Sequence, residues 1–158
     1  MNIVIAIGIA SGILAGCWVM SSMSLGFITF AGFFGWSSFF VAGGDEAGIK
    51  KTLINNLSGV FWGILAVKFG DFLAPIIGTK LALGIANGMG SAIICWMSRY
   101  KPFSSIPASF IGCSTYFATN FNIMGTIVGL IIGQCIGLIS VKLTDVIAKS
   151  KSSVVAEQ

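Results

Sequence analysis

Three stretches of the chain run without a charged residue, 1–44, 81–98 and 102–141. Each matches or exceeds the roughly 18 apolar residues that signal a membrane crossing. The first and third are long enough to cross twice, and a further apolar run follows Lys51. The pattern predicts an all-α, polytopic membrane protein with six transmembrane helices near 3–20, 26–42, 52–69, 76–97, 105–119 and 123–145. Polar or turn-forming clusters separate them: Ser21-Ser22-Met23-Ser24, Gly43-Gly44-Asp45-Glu46 and Tyr100-Lys101-Pro102. Residues 1–146 then form one transmembrane domain, and 147–158 form a disordered cytoplasmic tail.

The spans contain an internal echo. A 74-residue shift lays the third on the sixth, matching Thr52 with Thr126, Gly59 with Gly133, Gly63 with Gly137, Val67 with Val141, Lys68 with Lys142 and Asp71 with Asp145. A 78-residue shift sets Gly12 on Gly90 and Cys17-Trp18 on Cys95-Trp96; an 80-residue shift sets Phe30 and Gly32 on Phe110 and Gly112, and Trp36 on Tyr116. Three helices thus recur in order, over about 3–71 and 76–145. An odd number of crossings per unit inserts the second copy upside down, so the expected plan is two inverted three-helix repeats, as in many transporters.

Glycine is phased at every fourth residue: Gly8, Gly12 and Gly16; Gly59 and Gly63; Gly84 and Gly88; Gly125, Gly129, Gly133 and Gly137. Residues four apart share a helix face, and a face without side chains lets helix backbones approach closely in lipid. The plain reading is packing within one protomer. The others are a contact between protomers of a homo-oligomer and a lining for a narrow pore.

Composition sharpens this picture. Of 158 residues 56% are hydrophobic and 9% charged, with a mean hydropathy of +0.97, against roughly 25% charged in soluble domains. The net charge of +4 is orientation charge, not a nucleic-acid patch. With the amino terminus inside, Lys50, Lys51, Arg99, Lys101, Lys142, Lys149 and Lys151 are cytoplasmic, leaving Lys68 and Lys80 outside. Both termini are therefore expected in the cytoplasm. Leu14-Ala15-Gly16-Cys17 resembles a lipoprotein cleavage box, but no Lys or Arg precedes Lys50, so it reads as part of the first helix.

Neutral hydrogen-bonding residues lie within or beside the spans. Asn55, Asn87, Ser91, Asn120 and Gln134 are candidates to line a solute path, with Phe34, Trp36 and Tyr116 as rings that narrow it. Such groups equally serve to join helices. Lys68 with Asp71 and Lys142 with Asp145 stand at the far ends of the third and sixth spans, as salt-bridged helix ends or as charged vestibules. No Asp, Glu, Lys, Arg or His lies mid-span, where proton relays and voltage sensors keep theirs. Cys17, Cys95, Cys113 and Cys135 lack C-x-x-C spacing and the chain has no His. No metal, cofactor or active site is expected, and an enzyme is the least favoured class.

The Gly-striped six-span layout, Phe30 and Gly32 with Trp36, and Gly59 and Gly63 followed by Lys68 resemble the YcdZ-like bacterial inner-membrane proteins, a domain family of unknown function. The resemblance extends to about Asp145 and implies a bacterial inner membrane, with no functional residue carried over. Inverted repeats, embedded neutral polar groups and the lack of buried charge favour a passive channel or facilitator for small, mostly uncharged polar solutes. A non-transporting membrane scaffold and an ion channel are the alternatives, the latter requiring a broken helix such as 72–78 around Pro75.

Overall fold

A computed structural model describes residues 2–156, with side chains described through Lys149; Met1, Glu157 and Gln158 lie outside the described residues. The tail expected at 147–158 falls mostly beyond the described side chains. Among the described residues six α-helices and one 3₁₀ turn carry the fold: α1 (Ile3–Leu25), α2 (Thr29–Val41), α3 (Glu46–Ile77), α4 (Thr79–Met97), the turn Lys101–Phe103, α5 (Ile106–Ala118) and α6 (Ile123–Ala156).

Local chemistry sets their ends. Asp45 caps α3 by accepting from the Gly48 amide at 2.6 Å, and Asn122 caps α6 by accepting from the Gly125 amide at 2.8 Å. These caps supply an acceptor to amide groups that have no partner within the first helical turn. Because Asp45 starts α3, the helix takes in Lys50 and Lys51, one to two turns ahead of the expected start at Thr52. Gly26, at φ 73, closes α1 in the left-handed conformation that a side chain would strain. Asn120 and Phe121, at φ 51 and 64, turn the chain between α5 and α6.

The six expected crossings resolve into two classes. Helices α1, α3, α4 and α6 are long and apolar enough to span a membrane. Helices α2 and α5 have 13 residues each, about 20 Å of helix against about 30 Å of hydrocarbon. The apolar runs that contain them are longer, but Gly26, Phe27 and Ile28 turn at one end of α2, and Tyr100 to Ser105 turn ahead of α5. Hydropathy alone does not separate an apolar turn from an apolar helix. The 72–78 segment also differs from expectation: α3 continues through Pro75 to Ile77, and the break falls at Gly78, with φ 84. Pro75, in the last turn, cannot donate to the Asp71 carbonyl four residues earlier, and the helix ends two residues beyond it.

Helices α3 and α6 form an antiparallel central pair. Glu46 near the start of α3 meets Lys142 on α6 at 2.8 Å, and Val60 and Leu130 share a buried cluster with Tyr116. Helix α2 lies along α6 and α5 along α3, while α1 and α4 flank α6 and α3 on the outside. Glycine permits the tightest contacts. A Cβ on Gly59 would run into the carbonyl of Ser109 and the amide of Cys113; one on Gly133 would run into the carbonyl of Gly32 and the amide of Trp36. Likewise Gly112 lies on the Asn56 backbone and Gly35 on the Leu130 backbone.

Burial recurs along the chain with the same spacings. Thr52, Asn55, Asn56, Gly59, Val60, Gly63, Ala66 and Gly70 are buried on α3, and the residues 74 positions later are buried on α6. Ala31, Gly32, Gly35, Ser38 and Phe39 on α2 precede buried Ala108, Ser109, Gly112, Thr115 and Tyr116 on α5 by 77. Ala6, Ala10 and Trp18 on α1 precede Ala82, Ala86 and Ile94 on α4 by 76. These burial offsets of 76 and 77 differ from the 78 and 80 suggested by residue identities.

Candidate functional site

The polar groups inside the bundle fall into an occupied set and an unoccupied one. Asn55 is fully occupied: its Nδ2 donates to the carbonyls of Lys51 at 2.7 Å and Pro102 at 3.0 Å, and its Oδ1 accepts from the Ser105 amide at 3.1 Å and the Ser109 hydroxyl at 3.2 Å. Two donors and two acceptor positions are all an asparagine amide offers. Asn55 thus ties the α4–α5 connection to α3 and retains nothing for a solute.

Asn56, the next residue, is different. Its Oδ1 accepts from the Ser38 hydroxyl of α2 at 2.6 Å, but its Nδ2 is buried with no hydrogen-bond partner among the described residues. Gln134 Nε2 on α6 is in the same condition. Asn56 is 0% and Gln134 2% exposed. Each lies one helical turn from the Val60–Leu130 cluster, and both on its side toward the Glu46–Lys142 end, so the two amides stand at about the same level of the central pair. Asn56 is a neutral polar residue of the third span that is not among the solute-lining candidates read from the sequence, although its step of four between Thr52 and Val60 places it on the buried face.

The other candidates are dispersed. Trp36 is buried and donates from Nε1 to the Ser140 hydroxyl at 3.2 Å, its ring stacked on Phe33. Tyr116 is buried in the central cluster with Val60 and Leu130. Phe34 is 40% exposed and lines an outward pocket of about 250 Å³ with Phe110, Ile111 and Ser114. Asn87 is half-buried on α4 and donates to the Leu83 carbonyl of its own helix at 2.9 Å; Ser91 lies one turn on, also half-buried. Asn120 is an exposed turn residue. Gln134, Trp36 and Tyr116 are thus interior, whereas Asn87, Ser91, Asn120 and Phe34 are peripheral.

The terminal charges do not converge either. Lys142 pairs with Glu46 rather than with Asp145; the ammonium holds the Glu46 carboxyl below its ordinary range through a hydrogen bond and Coulomb attraction. Asp145 borders a groove between α1 and α6, and Lys68 borders one between α3 and α4, while Asp71 is exposed. The glycine stripes divide as well. Gly59, Gly63, Gly125, Gly129, Gly133 and Gly137 pack against atoms of the same chain, whereas Gly8, Gly12, Gly16, Gly84 and Gly88 have open space where a Cβ would go.

Comparison with known proteins gives a consistent placement. The family profile described as "Protein of unknown function (DUF1097)" matches residues 8–145. The "Uncharacterized protein YahC" of Escherichia coli K12 is 33% identical over 148 residues, covering 89% of this chain and 90% of that one. The "Inner membrane protein YcdZ" of Salmonella typhimurium LT2 is 32% identical over 121 residues, covering 75% of this chain and 72% of that one; its namesake in Escherichia coli K12 is 32% identical, with 75% and 71% covered. No solved structure matches the chain. A helical membrane protein whose profile match spans nearly all of its apolar helices, the chain belongs to the DUF1097 family.

Proposed function

We propose that the chain is a non-enzymatic, passive channel or facilitator for small, mostly uncharged polar solutes across the bacterial inner membrane. The observation that carries this reading is the pair of unsatisfied amides, Asn56 Nδ2 and Gln134 Nε2, deep in the bundle. A buried N–H without an acceptor costs about 1–3 kcal/mol, so each of the two calls for a partner. A solute carbonyl or hydroxyl passing that level would satisfy them. A charged solute would be disfavoured, because the surrounding side chains are neutral and burying an unpaired charge is far costlier.

The recurrence of burial supports an architecture of two inverted three-helix repeats. The offsets of 76, 77 and 74 map α1 onto α4, α2 onto α5 and α3 onto α6, and the contact of Gly59 with Ser109 and Cys113 onto that of Gly133 with Gly32 and Trp36. In this plan the short helices α2 and α5 pack against the central pair from opposite halves. The cluster of Val60, Leu130 and Tyr116 closes the centre beside the two amides, as an apolar barrier that a solute passes when the helices part. Positive residues at the α3 start favour both termini in the cytoplasm.

The open glycine faces of α1 and α4 support assembly into a homo-oligomer. Under the 76-residue offset Gly8 and Gly12 correspond to Gly84 and Gly88, so the same bare face occurs twice, on the outside. These faces also favour a second reading, a scaffold that recruits other membrane subunits. The two are separated by flux: in reconstituted vesicles the paired change of Asn56→Leu and Gln134→Leu alters solute entry if the chain conducts, and leaves all fluxes at the empty-vesicle level in both proteins if it is a scaffold.

A further inference from the structure

We propose that the chain binds an anionic phospholipid at the edge between α3 and the α4–α5 connection, its headgroup held by Lys50, Lys51 and Lys101 and an acyl chain lying along Trp62. Lys50, Lys51 and Lys101 line one pocket of about 300 Å³ together with Ile54 and Pro102. Ile54 also borders an adjoining groove of about 490 Å³, whose other walls include Leu57, Phe61, Trp62, Met97 and Phe103. A basic pocket thus opens through one shared residue into an apolar trough, the two-part chemistry of a phosphate headgroup on an acyl tail. Free phosphate fills the first part only, and a neutral lipid gains only from the second.

The basic pocket is fixed by the protein interior. Lys50 and Lys51 project from the first turns of α3, whereas Lys101 comes from the α4–α5 connection. The buried Asn55 clamps the two together through the carbonyls of Lys51 and Pro102, so three like charges converge although they repel. Like charges so held favour an anion between them, each basic residue adding about 1 kcal/mol of attraction to an anionic lipid surface. The site does not depend on whether the chain conducts solute.

The test uses the full-length protein in phosphatidylcholine vesicles containing a small fraction of lipid brominated on its acyl chains. Bromine quenches tryptophan on contact, and the part of the quenching that disappears in Trp62→Phe reports the groove. Brominated phosphatidylglycerol is expected to quench that component at a lower mole fraction than brominated phosphatidylcholine. Combined replacement of Lys50, Lys51 and Lys101 by Gln should erase the preference, at roughly fivefold per lysine, while Lys68→Gln with Lys80→Gln should leave it intact. Equal quenching by the two lipids in the unmodified protein would overturn the proposal, as would a preference that survives the triple change. A preference abolished by millimolar inorganic phosphate would assign the lysines to a free-anion site and overturn the lipid source.

Discussion

Asn55 and Asn56 are adjacent and chemically identical, yet the structure gives them opposite tasks. Asn55 spends both donors and both acceptor positions on four partners, so Asn55→Leu should destabilise the fold by several kcal/mol, since it leaves several groups unpaired at about 1–3 kcal/mol each. Asn56→Leu removes an unsatisfied donor, and its stability cost should be smaller, confined to the lost bond from Ser38. Thermal unfolding in one detergent, monitored for both variants, checks the order; equal losses would contradict it. The glycines divide in the same way. Gly59→Ala and Gly133→Ala drive a methyl into neighbouring backbone and should lose about 1–3 kcal/mol or more, whereas Gly12→Ala and Gly88→Ala meet open space and should leave monomer unfolding unchanged. The sequence distinguishes none of these pairs. A Gly at a four-residue step looks the same whether another helix or lipid lies over it, and the Asn-Asn doublet is sorted only by which residue reaches the α4–α5 connection.

At the scale of elements, the number and order of the helices were legible from hydropathy, and so was the α6 start that Asn122 caps; Asp45 starts α3 ahead of the expected Thr52, and Gly26 and Gly78, which end α1 and α3, fall inside expected spans. Less legible were the lengths of α2 and α5: Phe27 and Ile28 are apolar whether they lie in a helix or in a turn. The recurrence of burial between α3 and α6 has the same 74-residue offset as the residue matches along them, whereas the burial offsets of the outer helices, 76 and 77, differ from those suggested by Cys17-Trp18 and by Phe30 and Gly32. The Glu46–Lys142 pair joins α3 to α6 at the surface, with side chains 62% and 74% exposed for Lys142 and Glu46. The Glu46 carboxyl is held low by Lys142, so the pair's contribution is present above the ordinary carboxylate range and disappears as pH falls through the lowered value. Glu46→Gln should therefore remove any difference in stability between neutral and acidic pH that this pair causes, without a measurable loss at high salt. The outer glycine faces make a separate expectation. Cysteine placed at Gly12 or Gly88 should form disulfide-linked dimers in membranes on mild oxidation, while cysteine at exposed Ile13, about 100° around α1 from Gly12, should do so far less.

The whole molecule joins three things: a central antiparallel pair, two short helices packed on it, and two unsatisfied amides beside a buried apolar cluster. Membrane class and family follow from composition and from a profile match over residues 8–145. The arrangement of the amides does not, because it depends on the level at which α3 crosses α6. The most direct measurement is re-swelling of shrunken proteoliposomes by stopped-flow light scattering, with urea, acetamide, glycerol and small organic acids each as the added solute. The account predicts faster re-swelling than in empty liposomes for one class of neutral solute, no acceleration for charged ones, and an altered rate when Asn56 and Gln134 are both Leu. Rates equal to those of empty liposomes for every solute, with protein shown to be folded and inserted, would contradict it.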